Sequence, residues 1–193
     1  MEPIPGCEGG PSGIRGKLSP AAEARGNWIR KVPVWNFRPW LKQEEAFEGF
    51  WPVKPVLLDA GVIVALLDRS EQHHEVCAKI IKSIEAPLLT CEAVITKSCF
   101  LLRNLPGAPA AVIENVAAGI FQVSFQLSTD TEGVKRQLRK YQDREIDLAV
   151  ACLIRMADQF GTGDILTLDR DFEIYRWGKN KPFQLLPARR LRS

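Results

Sequence analysis

The chain has 193 residues, of which 46% are hydrophobic and 25% charged, and its net charge at pH 7 is +3. These values are typical of one globular domain, either alone or with an appendage, and the small positive charge permits a nucleic-acid partner without requiring one. No apolar run approaches the roughly 18 residues of a membrane span, and no apolar signal-peptide core follows Met1. We therefore expect a cytoplasmic protein with no membrane association.

The cysteines are odd in number and form no CxxC pair. Apolar patterns of helical spacing surround most of them, which favours reduced thiols in the core of an intracellular protein. Zinc binding and disulfide formation are the alternatives. The five residues are Cys7, Cys77, Cys91, Cys99 and Cys152.

The first part of the chain differs in composition from the rest. Residues 1–27 are rich in Gly, Pro and Ser, and residues 28–51 interleave tryptophans with Arg and Lys. Such interleaving can stack on bases and pair with phosphates. The alternatives are a segment that folds back on the domain and an accidental extension of the reading frame. We predict a poorly ordered extension over 1–53, a domain over 54–188 and a basic tail over 189–193.

Within the domain, apolar strands alternate with helical patterns. We predict strands at 56–58, 88–89, 121–127 and 183–186, and a further strand that starts at 164 and leads to Asp169. We predict helices at 60–67, 71–84, 91–102 with Thr90 as its N-cap, 108–118 with Gly119 as its C-cap, 131–141 and 146–160. Strands that alternate with helices predict a three-layer α/β/α domain with a central parallel sheet.

Two predicted strands end in acids. Asp59 follows the first strand, and Asp169 and Asp171 follow the strand that begins at Asp164. Because parallel strands direct their carboxyl ends to one crevice, these carboxylates are expected to converge and to form part of a metal site. A receiver-type phospho-acceptor or a dehalogenase-type phosphatase could also use a strand-tip aspartate. The phosphatase expects a second Asp two residues later, where this chain has Gly61.

Five motifs follow one another along the domain. They are LLDAGV at 57–62, LLDR at 66–69 with His74, TCEAV at 90–94 with FLLR at 100–103, IDLA at 146–149 with ACL at 151–153, and TLDRDF at 167–172. In this order and spacing they resemble the PIN-domain nucleases, in particular the VapC-type toxins of bacterial toxin–antitoxin pairs. The resemblance covers residues from about 55 to 187, and no counterpart of the extension exists in that pattern.

The resemblance implies an RNA endonuclease that depends on Mg²⁺ or Mn²⁺, because one or two such ions polarise the phosphate and activate water. It implies a homodimer, RNA as substrate and an antitoxin-like protein as partner. It assigns Asp59 and Asp169 as catalytic metal ligands, with Asp147 and Asp171 as auxiliary acids. The pattern places about four acids around one pocket.

This chain departs from that pattern at two acid positions. Lys97 stands where the central helix carries its acid, and Val150 stands where the next helix carries the third. Asp147 lies one turn before Val150 on the same predicted face, whereas Glu92 is rotated away from Lys97. Three alternatives follow. The remaining acids bind one ion weakly, the Lys97 ammonium pairs with Asp59 or Asp169 in a metal-free pocket, or both positions lie away from the pocket.

We therefore predict a metal-dependent endoribonuclease of the toxin type, weakened by Lys97 and Val150. The alternative is a non-catalytic PIN domain that binds RNA or an antitoxin-like partner. A basic face on the helix at 131–141 is a candidate RNA contact, because phosphate binding needs such charge, although a solvated charged face has the same sequence. Its residues are Lys135, Arg136, Arg139 and Lys140.

Overall fold

A parallel sheet of five strands forms the centre of the protein in a computed structural model that describes residues 53–186. The order across the sheet is β3-β2-β1-β4-β7. These strands are β1 (Val56–Leu58), β2 (Leu88–Cys91), β3 (Phe121–Phe125), β4 (Asp164–Leu166) and β7 (Gln184–Leu185). Strands β5 (Arg176–Trp177) and β6 (Lys181–Pro182) form a separate antiparallel pair that the sequence did not predict.

Six α-helices connect the strands within the described range. They are α1 (Ala60–Leu67), α2 (His74–Lys82), α3 (Glu92–Leu101), α4 (Ala108–Ala117), α5 (Thr131–Lys140) and α6 (Leu148–Phe160). Helices α1 to α4 pack mainly on one another, and α5 packs on α6. Because crossovers between parallel strands are right-handed, these two groups cover opposite faces of the sheet. The predicted three-layer α/β/α architecture is confirmed.

The core is built from strands that are apolar on both faces. Leu57, Leu58, Leu89 and Ile165 are fully buried. A parallel sheet with helices on both sides buries both faces of each strand, so its strands are short apolar runs rather than alternating ones. Helix α6 is apolar around most of its circumference and is also buried. The sheet and α6 therefore form a rigid base for the side chains at the sheet edge.

Several predicted boundaries shift, and each shift has a local cause. Thr90 belongs to β2 and donates its hydroxyl hydrogen to Leu58 O over 3.0 Å, so the N-cap of α3 is Cys91. Helix α6 begins after Asp147, because that side chain caps the helix. Helix α4 ends at the C-cap Ala118, and Gly119 follows with φ of +71°.

The predicted reduced thiols are confirmed for the cysteines that the structure describes. Cys77, Cys91 and Cys152 are buried, Cys99 is half-buried, and all four are free. Cys91 ends a strand rather than lying in a helix. Cys7, the tryptophan-rich segment and the basic tail lie outside the described residues, so the three-part division of the chain stays a prediction.

The turn after α6 brings β4 beside β1. Gly161 ends the helix in the left-handed conformation with φ of +63°, which glycine adopts without steric cost. The buried hydroxyl of Thr162 then donates to Pro55 O over 2.8 Å, which attaches the turn to the start of β1. As a result, the two strands run in parallel and end at the same edge of the sheet.

Across residues 53–186, no helix combines the length and the apolar composition required to cross a membrane.

Candidate active site at the carboxyl edge of the sheet

The site begins where β1 and β4 end side by side. Leu58 and Leu166 are partners in register, and the next backbone amide, that of Asp59, donates to Leu166 O over 3.0 Å. Residues that follow the two strands therefore emerge at the same edge. The sequence predicted this convergence from two strand tips of one parallel sheet, and the register of the strands is its physical cause.

Asp59 is held rigidly at this edge. Its side chain is 4% exposed and forms the N-cap of α1, where Oδ1 accepts a hydrogen bond of 2.7 Å from the Ala60 amide. Oδ2 accepts a second bond of 2.7 Å from the Thr167 hydroxyl. Burial raises the pKa of Asp59 by more than these hydrogen bonds and the charge of Lys97 lower it. Protonation of this carboxyl is thus easier than for an exposed aspartate.

Asp169 reaches the same place through a short hydrogen-bonded relay. Its backbone amide donates to Thr167 Oγ1 over 3.0 Å, and the Thr167 hydroxyl in turn donates to Asp59. Its own Oδ1 accepts from the amide of Asp171 over 2.9 Å, at the start of a short 3₁₀ turn. Asp169 is half-buried, and its negative charge helps to raise the pKa of Asp59. The two predicted ligands therefore share one site, with the exposed Asp171 on its outer side.

Lys97 projects from α3 into this acidic edge. Its Nζ lies 2.5 Å from Asp147 Oδ2, in a salt bridge whose side chains are 38% and 43% exposed. The sequence alternative that paired the ammonium with Asp59 or Asp169 was therefore wrong about the direct partner. The charges of both these acids nevertheless act on Lys97. The Lys97 ammonium thus contacts Asp147 directly and interacts with the other two carboxyl groups through their charge.

The Lys97–Asp147 pair is ionised at neutral pH. Burial lowers the pKa of Lys97, but the hydrogen bond and charge of Asp147 raise it further, so the net pKa lies above the usual value for lysine. Burial raises the pKa of Asp147, but the Lys97 hydrogen bond and the Val150 amide outweigh it, so the net shift is downward. Each partner stabilises the charged form of the other.

Val150 contributes a backbone group and no side-chain polar atom. Its side chain is 4% exposed and belongs to the hydrophobic core, while its amide donates to Asp147 Oδ1 over 2.8 Å. Asp147 is therefore the N-cap of α6 rather than a residue of its first turn, and from there it reaches Lys97. Both carboxylate oxygens of Asp147 therefore accept hydrogen bonds, and its predicted role as an auxiliary acid stays a prediction.

Sequence reasoning gave no role to Thr167 or Tyr175. Thr167 precedes Asp169 by two residues, and this alternation was the available signal, because such residues point to the same side of an extended chain. Tyr175 is buried, and its pKa is raised to about 12 by burial and by the charges of Asp171 and Asp169. Its ring packs edge-on against Phe172 with centroids 5.4 Å apart, which supports the loop that carries the acids.

An open groove of about 630 Å³ adjoins the ion pair. Lys97 and Asp147 form part of its wall, so the ammonium is accessible from solvent. Phe100 lies one turn after Lys97 and is 61% exposed, with the Arg103 guanidinium 4.1 Å from its ring centroid. The lining residues are Cys91, Glu92, Ala93, Thr96, Lys97, Phe100, Phe125, Leu127, Asp147, Leu148, Ala149 and Cys152.

The predicted basic face lies on α5, and its four side chains are exposed. Val134 faces the core from the same helix, which accounts for the strong separation of apolar and charged sides. Lys135 forms a salt bridge of 3.2 Å with Glu132, and Lys140 lies 4.8 Å above the ring of Tyr141. Arg136 and Arg139 complete the face.

The fold and the acidic edge define a PIN domain, and a sequence model of the PIN domain family matches residues 56–178. The chain therefore belongs to the PIN domain family. Among curated relatives, it is 29% identical over 117 residues to ribonuclease VapC26 of Mycobacterium tuberculosis, an alignment that covers 60% of this chain and 87% of the relative.

A solved structure shows the same fold. It is that of VapC20 from Mycobacterium tuberculosis, described as a toxin that cleaves the sarcin-ricin loop. The TM-score is 0.59 at 18% sequence identity, and the match covers 66% of this chain and 99% of the other. At this identity the likeness supports the fold.

Ribonucleases of the PIN family are generally dependent on a divalent metal ion. The side chains present here do not fit such an ion. Among residues 53–186, no group of three or more His, Cys, Asp and Glu side chains is placed to hold a metal. Asp147 is bonded to the Lys97 ammonium, and both oxygens of Asp59 already accept hydrogen bonds. Carboxylate oxygens could surround a divalent ion here only if Lys97 moved away from Asp147.

Proposed function

We propose that this protein is an endoribonuclease of the toxin type, which hydrolyses phosphodiester bonds of RNA. The observation that carries the proposal is the gathering of Asp59, Asp147 and Asp169 at the carboxyl edge of the sheet of a PIN domain. The curated relative that is named as a ribonuclease supports it.

The site residues have separable roles in this proposal. Asp59 is a buried positioning group that fixes Thr167 and, through it, the Asp169 loop. Asp169 is half-buried and faces the site, so its carboxylate is suited to accept a hydrogen bond from an attacking water. Hydrolysis forms a bond from this water to phosphorus, breaks the ester P–O bond and passes a proton to the leaving oxygen. The exposed cations of α5 would hold the flanking phosphates.

Mg²⁺ or Mn²⁺, with Asp59, Asp169, Asp147 and Asp171 as ligands, is the ion that this site would hold if the Lys97 ammonium moved away from Asp147. Because the arrangement of Lys97 and Asp147 does not fit an ion, we assign no chemical step to one. We further propose an antitoxin-like protein and a second copy of the chain as partners, and action in the cytoplasm, by analogy with the toxin class.

Cleavage of an end-labelled RNA by the full chain tests the function. Asp59→Asn and Asp169→Asn should each abolish any cleavage. Asp164→Asn is the matched control, because Asp164 lies at the opposite end of β4 and pairs with Lys54 at 3.3 Å. Cleavage that survives both site variants would come from another site or from a contaminant, and would contradict the proposal.

A second candidate function is a non-catalytic PIN domain that binds RNA or a protein partner. Two observations favour it. The first is the Lys97–Asp147 salt bridge, because it neutralises a carboxylate where the family carries acids. The second is the apolar groove beside this pair. Retained RNA binding without cleavage, unchanged in Asp169→Asn, would support this candidate.

A further inference from the structure

We propose that Lys97 serves as the built-in cation of this site and keeps divalent metal ions out of it. The inference rests on the proposed function only in naming the site, because it concerns the charge of the pocket rather than cleavage. It follows from the disagreement between the metal dependence of the family and the side chains that this chain presents.

The position of the ammonium is the first support. Lys97 Nζ is 2.5 Å from Asp147 Oδ2, and the charges of Asp59 and Asp169 also act on it. A bound divalent ion would need to approach these same three carboxyl groups. Because like charges repel strongly at such short range outside bulk water, the ammonium and the ion compete for one place.

The remaining carboxyl groups offer little to an ion while Lys97 stays. Asp147 uses one oxygen for the ammonium and the other for the Val150 amide. Asp59 is buried, with one oxygen bound to the Ala60 amide and the other to the Thr167 hydroxyl. Asp169 is half-buried, and only its Oδ1 accepts a hydrogen bond, from the Asp171 amide, so its Oδ2 is left for an ion. One carboxylate is too few for Mg²⁺ or Mn²⁺.

Access is not what prevents metal binding. Lys97 and Asp147 both line an open groove of about 630 Å³, so an ion in solution can reach them. Loss of the ammonium would free Asp147 Oδ2 to act with Asp169 as a carboxylate ligand. Replacement of Lys97 by a neutral residue should therefore raise the affinity for divalent ions.

Titration of Mn²⁺ into the full chain tests this, with heat of binding and thermal unfolding as readouts. Wild type should show little binding and no rise in Tm. Lys97→Gln should bind Mn²⁺ on the order of tenfold more tightly, the scale of change seen when a group beside metal ligands is altered. Lys97→Arg keeps the charge and should behave like wild type. Lys135→Gln is the matched control, because Lys135 is also paired with a carboxylate, Glu132, but lies on α5.

Two results would overturn the inference: wild-type binding as tight as that of Lys97→Gln, or no gain in Lys97→Gln while its unfolding curve is unchanged. The result is separable from that of the cleavage test. A wild-type protein that binds Mn²⁺ tightly and cleaves RNA would retain the proposed function and refute this inference. A wild-type protein that neither binds Mn²⁺ nor cleaves RNA, together with a Lys97→Gln variant that binds Mn²⁺, would support this inference and contradict the proposed function.

Discussion

The Thr167 hydroxyl donates a hydrogen bond of 2.7 Å to Asp59 Oδ2, although the two residues are 108 positions apart in the chain. Thr167 also accepts the amide hydrogen of Asp169 over 3.0 Å. This one side chain thus links the end of β1 to the loop after β4. It makes the geometry of the two principal acids interdependent, and a change at Thr167 should affect both.

Replacement of Thr167 by Val should destabilise the fold by about 1.5–3 kcal/mol, because a buried carboxyl group loses its hydrogen-bond donor. Urea unfolding at constant m value measures the loss. Thr90→Val is the matched control, since Thr90 is a fully buried strand threonine whose hydroxyl donates to a neutral carbonyl, Leu58 O. Its loss should be about 1 kcal/mol. Equal losses for both variants would mean that the hydrogen bond to Asp59 stabilises the fold no more than the hydrogen bond to the neutral carbonyl of Leu58.

The stability of the protein should depend on pH through Asp59. Its folded-state pKa is raised above the usual 3.8, mainly by burial, so the folded state holds this proton more tightly than the unfolded state. The resulting stability is fully present below 3.8 and is lost as pH rises through the folded-state pKa. The free energy of unfolding of wild type should therefore fall relative to that of Asp59→Asn between pH 4 and pH 8. A difference that stays constant over this range would show that Asp59 ionises normally.

Restoration of the acids at both substituted positions should create a metal site. Lys97→Glu with Val150→Asp places carboxylates at the two positions where the family pattern carries acids, and calorimetric titration should show tighter Mn²⁺ binding than in wild type. Lys97→Gln with Val150→Asn is the matched control, because it carries the same burial of polar atoms at position 150 without the new charges. Equal affinity of the two double variants would mean that the new carboxylates do not face the ion.

The same double variant should change RNA cleavage. Wild type should cleave slowly, Lys97→Glu with Val150→Asp should cleave faster, and the addition of Asp59→Asn should remove the gain. One RNA substrate and one Mg²⁺ concentration allow the three rates to be compared. Fast cleavage by wild type that depends on Asp59 would show that Lys97 does not impair the site. A folded, metal-binding but inactive double variant would locate the defect elsewhere.

The basic face of α5 should contribute to RNA affinity without base specificity. Arg136→Gln with Arg139→Gln should weaken binding to RNA of any sequence and reduce the salt dependence of log K by about 1.4, or about 0.7 per lost phosphate contact on a single strand. Fluorescence anisotropy at several salt concentrations measures both quantities. Lys79→Gln with Lys82→Gln removes the same charge from exposed positions on α2 and should have a smaller effect. Similar effects of the two pairs would indicate binding by net charge alone.

The sequence by itself determined the architecture and the two strand-tip acids. Apolar runs such as 56–58 predict buried parallel strands, and the carboxyl ends of such strands meet at one edge whatever the details of packing. Asp59 and Asp169 could therefore be placed together from the sequence. The resemblance to the PIN-domain pattern identified Lys97 and Val150 as departures, because the residue type at each motif position is read directly from the chain.

Tertiary structure alone decided which groups touch. The partner of Lys97 is Asp147, fifty positions away, because Asp147 caps α6 and its carboxylate turns toward α3. Periodicity gives the face of a helix but not the separation between two helices, so it could not choose among Asp59, Asp147 and Asp169. Hydrogen bonds across the sheet, such as that from Thr167 to Asp59, depend on strand register in the same way, and register is fixed only when the layers pack.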